Sequence, residues 1–142
     1  MSRSVHAPAG IFDSRDYGFA QVVTTPTPLG DFVHVSGQVA WSADRTIVGT
    51  GDIGRQLEKS LENLAAALAS VGAKLDQVGA LRLYIRQSHI HEGKAISAAL
   101  KAAFGDRPPC ATWISVPSLA NEEFLIEVEP SAVFLPRNQN AE

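Results

Sequence analysis

The chain has 142 residues, 45% of them hydrophobic and 19% charged, with a formal net charge of -3. That is enough apolar sequence for one core and too little for two, and the acidic balance offers no electrostatic footprint for nucleic acid. A single cysteine, Cys110, excludes an intramolecular disulfide, no apolar run reaches the ~20 residues of a membrane-spanning helix, and Met1 to Gly10 lack the apolar core of a secretory leader; a soluble cytoplasmic protein is expected.

Residues 1–15 read as an N-terminal segment. Tyr17 to Thr24 and Phe32 to Trp41 then read as two strands joined across Pro26, Pro28 and Gly30, which break any helix and mark a turn. Thr46 to Val48 reads as a short third strand ahead of Gly49 and Gly51. From Ile53 to Val71 the period changes: Leu57, Leu61, Leu64, Leu68 and Val71 are spaced by four, three, four and three, one apolar stripe on a helix that Gly72 caps. Val78 to Arg86 alternates, with Leu81, Leu83 and Ile85 on one side and Arg82, Tyr84 and Arg86 on the other. A second helix runs from Glu92 to Phe104, turning Ile96, Leu100 and Ala103 or Phe104 inward, with Gly105 beyond its end and Pro108 and Pro109 forbidding continuation. Ala111 to Val116 and Phe124 to Phe134 are the last strands. The order βββαβαββ predicts an α+β single domain over 1–142, a mixed sheet with both helices on one face, and a flexible polar tail at 137–142.

Two helices cover one face of such a sheet, the face expected to carry Val33, Val35, Leu81, Leu83, Ile85, Ile114, Val116, Ile126 and Val128. The opposite face then presents His34, Ser36, Arg82, Tyr84, Arg86, Trp113, Ser115, Glu127 and Glu129. Aromatic groups among pairable charges suit a contact with a second subunit, so a homo-oligomer is expected. Glu127 and Glu129 point the same way from an otherwise apolar strand, about 7 Å apart. They require partners, water or a ligand, and the alternative is a solvated outer face on which Arg82 or Arg86 pairs with them. His34, His89, His91 and Cys110 share no ligand spacing, so no metal is expected. Cys110 has no neighbouring histidine to form a thiolate, which argues against covalent catalysis.

Several segments, taken together and in order, carry a resemblance: Phe32-Val33-His34-Val35-Ser36-Gly37-Gln38-Val39; Gly51-Asp52-Ile53-Gly54-Arg55-Gln56 followed by Leu61-Glu62-Asn63-Leu64; Val71-Gly72-Ala73; and Ile126-Glu127-Val128-Glu129 with Ala132-Val133. From about Tyr17 to Val133 the chain resembles the YjgF/RidA (reactive intermediate deaminase) family, which implies a chorismate-mutase-like fold and a homotrimer. The resemblance further implies a cleft between subunits that binds small carboxylate-bearing imines or enamines and hydrolyses them to keto acids and ammonia, with no cofactor. The family's water-orienting glutamate falls on Glu127, its N-terminal aromatic on Tyr17, and Ser36 and Gly37 line the cleft. The family's substrate-clamping arginine falls on Ala111, and shifting the register lands on Cys110 or Thr112. Losing such a clamp removes a charge-assisted contact of about 1.5 to 3 kcal/mol. Arg107 or Arg82 is the candidate replacement, or the ligand is uncharged or aromatic and sits against Ala111 and Trp113. The readings are therefore a metal-free deaminase using Glu127 as base, or a trimer that binds a small molecule without chemistry. Ribonuclease or translation-inhibitor activity, also described in the family, conflicts with the acidic charge.

Overall fold

The computed structural model describes residues 2–138, so residues 139–142 of the expected tail lie outside them. In chain order the elements are β1 (Ser4–His6), β2 (Val22–Thr27), β3 (Gly30–Val35), α1 (Ile53–Ala69), β4 (Ala80–Arg86), α2 (Gly93–Phe104), β5 (Cys110–Val116), β6 (Ile126–Pro130) and β7 (Phe134–Pro136). Strands β1-β2-β3-β7 form one sheet and β5-β4-β6 another. Reciprocal backbone bonds between Gln38 and Val128, at 2.7 and 2.9 Å, join the two edge to edge. All strand pairs are antiparallel except β4 with β5. The expected α+β class, mixed sheet and pair of helices are what the chain adopts.

The apolar stripe makes α1: Leu57, Leu64 and Leu68 are 0% exposed and Leu61 3%, and each such burial contributes about 1.5 to 3 kcal/mol. The Asp52 carboxylate accepts the Arg55 N–H at 3.0 Å and so caps the helix start. Gly72, with φ of 78°, turns the chain out beyond Ala69, two residues before the expected end at Val71. Leu81, Leu83, Ile85, Ile126 and Val128 meet α1 and α2 in one core with Val33, Val35, Ile96 and Phe104.

Several of the sequence expectations need correction. Tyr17 is not in a strand, because Arg15–Tyr17 form a 3-10 turn closed by Gly18 in the left-handed region at φ of 86°, and β2 starts only at Val22. Pro26 lies within β2, beyond the end of β1, where the missing N–H is tolerated; the hairpin turns at Pro28 and Leu29. Thr46 to Val48 contributes only a bridge from Ile47 to Trp41, and the third strand before α1 is Ser4–His6 instead. The final strand is two: β6 pairs with β4, contact with the run into β4 continues past Pro130 through the Ser131 N–H to the Ala80 carbonyl and the Gly79 N–H to the Ala132 carbonyl, and the chain then pairs with β3 as β7. Arg137, assigned to the tail, donates its backbone N–H to the Leu29 carbonyl at 3.0 Å and its guanidinium to the Thr27 carbonyl at 3.1 Å.

Candidate functional site

Glu127 sits in the middle of β6 between Ile126 and Val128, both 0% exposed, whose burial fixes the strand's phase and sends Glu127 and Glu129 to the open face. In the β4 register Glu129 lies opposite Arg82 and Glu127 opposite Tyr84. Arg82 pairs with Glu129 at 3.0 Å, and the Tyr84 hydroxyl is 3.4 Å from the same carboxylate. Arg86 donates to the Glu122 carbonyl. Both strand arginines are thus engaged, and the half-buried Glu127 carboxylate has no hydrogen-bond or ion-pair partner among the described residues. Burial holds its pKa above the usual glutamate value, and the charge of Glu129 adds to the shift.

The carboxylate lies against Gly37, where any Cβ would overlap it, so the contact requires glycine. Ser36 and Gly37 form the short stretch in which the chain leaves β3 and rejoins the sheet at Gln38. A relay of bonds fixes that stretch to the N-terminal segment. The Ser36 hydroxyl donates to the Ala20 carbonyl at 2.6 Å, Gln38 Nε2 to Gln21 Oε1 at 2.8 Å, and Gln21 Nε2 to the Phe12 carbonyl at 3.2 Å. Gln21 and Gln38 were missed as site-building residues, although a glutamine in an apolar, strand-forming run is the signal that marks each.

The segment held this way carries Tyr17. Its ring stands edge-on to Phe12 at 6.2 Å, with the Arg45 guanidinium 5.0 Å from its centroid. Phe12 in turn meets Trp41 at 5.1 Å, and Trp41 meets Phe124 at 5.3 Å, so an aromatic row runs from Tyr17 to the residue that leads into β6.

The remaining expected residues lie elsewhere, and one assignment is reversed. The parallel register sets Ala111 beside Leu81, Trp113 beside Leu83 and Ser115 beside Ile85, so these side chains share the helix-covered face. Trp113 accordingly approaches Gly93 at the start of α2, where a Cβ would meet its ring at 3.6 Å. Ile114 and Val116, expected beneath the helices, fall beside Tyr84 and Arg86 on the open face. The reason is that β5 is an edge strand, exposed or half-exposed along its length, so neither phase of its alternation is buried enough to identify the core side. Cys110, beside Ala80, is exposed on the open face. Arg107 is exposed in the turn between α2 and β5, and its side chain has no partner among the described residues. Within one chain, Ser36, Gly37 and Glu127 come together with the Tyr17 segment tied to them, whereas Ala111 and Trp113 face the other way. The described residues include no group of three or more histidine, cysteine, aspartate or glutamate side chains arranged to hold a metal.

A family model described as endoribonuclease L-PSP, the YjgF/RidA family, matches residues 16–134. The chain belongs to this family. A RutC family protein of Pyrococcus abyssi is 27% identical over 104 residues, spanning 73% of this chain and 80% of the relative. Among solved structures, the Rid family protein of unknown function YyfB from Yersinia pestis is 33% identical, with a TM-score of 0.67 and coverage of 94% of this chain and 99% of that one. The YyfA protein from the same organism, 20% identical, superimposes with a TM-score of 0.79 over 93% and 99% of the two chains and supports the fold alone. The YjgF/RidA assignment agrees with the fold.

Proposed function

We propose that the protein hydrolyses reactive enamines or imines to keto compounds and ammonia, in a cleft formed where the open sheet face of one subunit meets the β5 edge of the next in a cytoplasmic homotrimer. The observation that carries the reading is the Glu127 carboxylate, half-buried against Gly37, without a paired cation among the described residues, and with a raised pKa. Such a group is basic enough to take a proton from water as the water oxygen adds to the imine carbon. The carbinolamine then expels ammonia, with the proton returned to nitrogen, and leaves the C=O product. An enamine enters the same route after protonation at carbon. The trimer accounts for the division of residues: Glu127, Ser36 and Gly37 come from one chain, and Ala111, Trp113, Cys110 and Arg107, on or beside an edge strand, reach them only from another. Neither metal nor organic cofactor enters this chemistry, and the net charge of -3 argues against nucleic acid as the substrate.

The test is the decay of enamines generated in situ from several amino acids. Acceleration by the parent and its loss in Glu127→Gln support hydrolysis. No acceleration for any of them, with Glu127→Gln identical to the parent, supports the second reading, a binding or regulatory trimer, which Ala111 at the clamp position favours. A light-scattering mass equal to one chain at micromolar concentration removes both.

A further inference from the structure

Ala111 also forms part of a cavity that sequence reasoning did not foresee. About 360 Å³ of space lies under the C-terminal end of α2, with Leu81 from β4, Leu100 and Phe104 from α2, Pro109 from the following turn and Ala111 from β5 as apolar walls. That volume falls within the ~300 to 1,000 Å³ of small-molecule sites. The walls are held in place. Gly105, at φ of 59°, ends the helix, the Arg107 N–H bonds the Phe104 carbonyl at 3.1 Å, and the Cys110 N–H bonds the Gly79 carbonyl at 3.0 Å. Between these anchors Pro108 and Pro109 leave the backbone little freedom.

Lys101 is the one charged residue in the lining, and it has no ion pair among the described residues. A second helix-side cavity, of about 400 Å³ between α1 and α2, makes the contrast. Its charged residues, Glu58 and Glu62, are neutralised by Arg55 at 3.1 and 3.5 Å, and Glu62 also by Lys59 at 3.7 Å. One cavity is electrically closed, and the other has an apolar body and a single exposed lysine without an ion pair among the described residues.

We infer that the cavity between the end of α2 and Ala111 binds an amphipathic carboxylate, its branched or aromatic part against Leu100, Phe104 and Ala111 and its anionic head on Lys101. The small side chain at 111 is what keeps the space open, since a longer one would point into it beside Leu81. The cavity lies on the helix-covered side of the sheet, away from the Glu127 face of the same chain, so it is a ligand site additional to the proposed reaction. It concerns binding alone, so it stands or falls without catalysis.

The test is titration of the full-length protein with 3-phenylpropanoate and, separately, with its neutral amide, followed by backbone amide NMR and calorimetry. The acid should move the resonances of Leu100 through Ala111 saturably and bind more tightly than the amide. Lys101→Gln should weaken the acid roughly tenfold and leave the amide unchanged. Ala111→Phe should abolish both, and Leu100→Trp fills the same space from the helix side should the first variant fold poorly. Equal affinity of acid and amide overturns the charged half of the inference and leaves Lys101 as a counter-charge for the α2 C-terminus only. Shifts confined to the Glu127 face, unaltered binding in both filled variants, or no saturable shift at millimolar ligand overturns it entirely. Loss of enamine hydrolysis with this binding intact would sink the proposed reaction and spare the site.

Discussion

Gln56, fully buried, and Glu127, half-buried, are polar groups on opposite sides of the same sheet, and their surroundings differ. Gln56, 0% exposed on α1, donates from Nε2 to the Glu123 carbonyl at 2.9 Å and the Gly49 carbonyl at 3.3 Å, while its Oε1 accepts the Leu125 N–H at 2.8 Å. Asn63, on the same helix, likewise spends both amide protons on the Val39 and Trp41 carbonyls at 2.9 and 2.8 Å. Glu127 has no such partner among the described residues and lies on a glycine. On the covered side Gln56 and Asn63 find their partners within the chain, and the one fully buried side-chain polar atom without a partner among the described residues is Trp41 Nε1. On the open side one acidic group is left for something outside the chain. Its oxygens still reach water, so what distinguishes it is a pKa held above the usual value by partial burial and by Glu129, with no cation paired to it among the described residues.

The largest expected effect breaks the covered side. Gln56→Leu leaves the buried Leu125 N–H unpaired and removes the part-buried bond to the Glu123 carbonyl, and should cost about 1 to 3 kcal/mol. Denaturant unfolding reads this as a lower midpoint with an unchanged slope. A loss below about 0.5 kcal/mol would mean that water replaces the amide and that the two sides do not differ as described. Next comes Gly37→Ala, whose new methyl overlaps the Glu127 carboxylate. The atoms it meets are the movable end of a half-buried side chain, so stability should fall by less than about 1 kcal/mol, while the displaced carboxylate should take any hydrolytic activity with it. Full activity in that variant would show that the contact with Gly37 does not position the base.

Legibility in the sequence followed burial. The stripe Leu57, Leu61, Leu64 and Leu68 and the alternation of Leu81, Leu83 and Ile85 were readable because each is buried on one side only, so a wrong phase would bring charge into the core. Glu127 was readable for the same reason, as a charge on a strand whose other face is wholly apolar. Strand β5 was not, because Trp113 on one face and Ile114 and Val116 on the other are all at least partly exposed and no core selects between them. Strand β1 was invisible for a different reason: three residues hold it, through pairing with β2 and a bond of 2.9 Å from His6 Nε2 to Thr24 Oγ1, and so short a segment has no period of its own. The residues that support the site, Gly37, Gln21 and Gln38, act through contacts between segments far apart in sequence, which local pattern does not encode.

A smaller, pH-dependent effect tests the open side. Because the folded chain holds the Glu127 proton more tightly than the unfolded chain, the stability tied to this group is complete below the ordinary glutamate value of 4.5 and declines as pH rises through the raised one. Glu127→Gln should remove that decline, so the parent and the variant should diverge in melting temperature toward neutrality, with the variant higher. Parallel curves would mean that the carboxylate is as well solvated as in the unfolded chain.

The smallest expected effect is the most informative about what covers the open face. The Arg82 and Glu129 side chains are 51% and 36% exposed, and a solvated pair of this kind contributes about 0 to 1 kcal/mol. Arg82→Ala should therefore hardly move the unfolding midpoint of isolated subunits. It should still push the Glu127 titration further upward, because Glu129 is then left without its cation and its charge bears more fully on the neighbouring carboxylate. NMR titration of the Glu127 side-chain carbonyl reads this directly. If Arg82→Ala instead costs several kcal/mol in the intact assembly, the pair is desolvated there, since breaking a buried ion pair leaves a charge uncompensated at about 3 to 5 kcal/mol. The open face would then be closed by a second chain, and the contrast between the two sides of the sheet would lie in who satisfies the polar groups and no longer in whether they are satisfied.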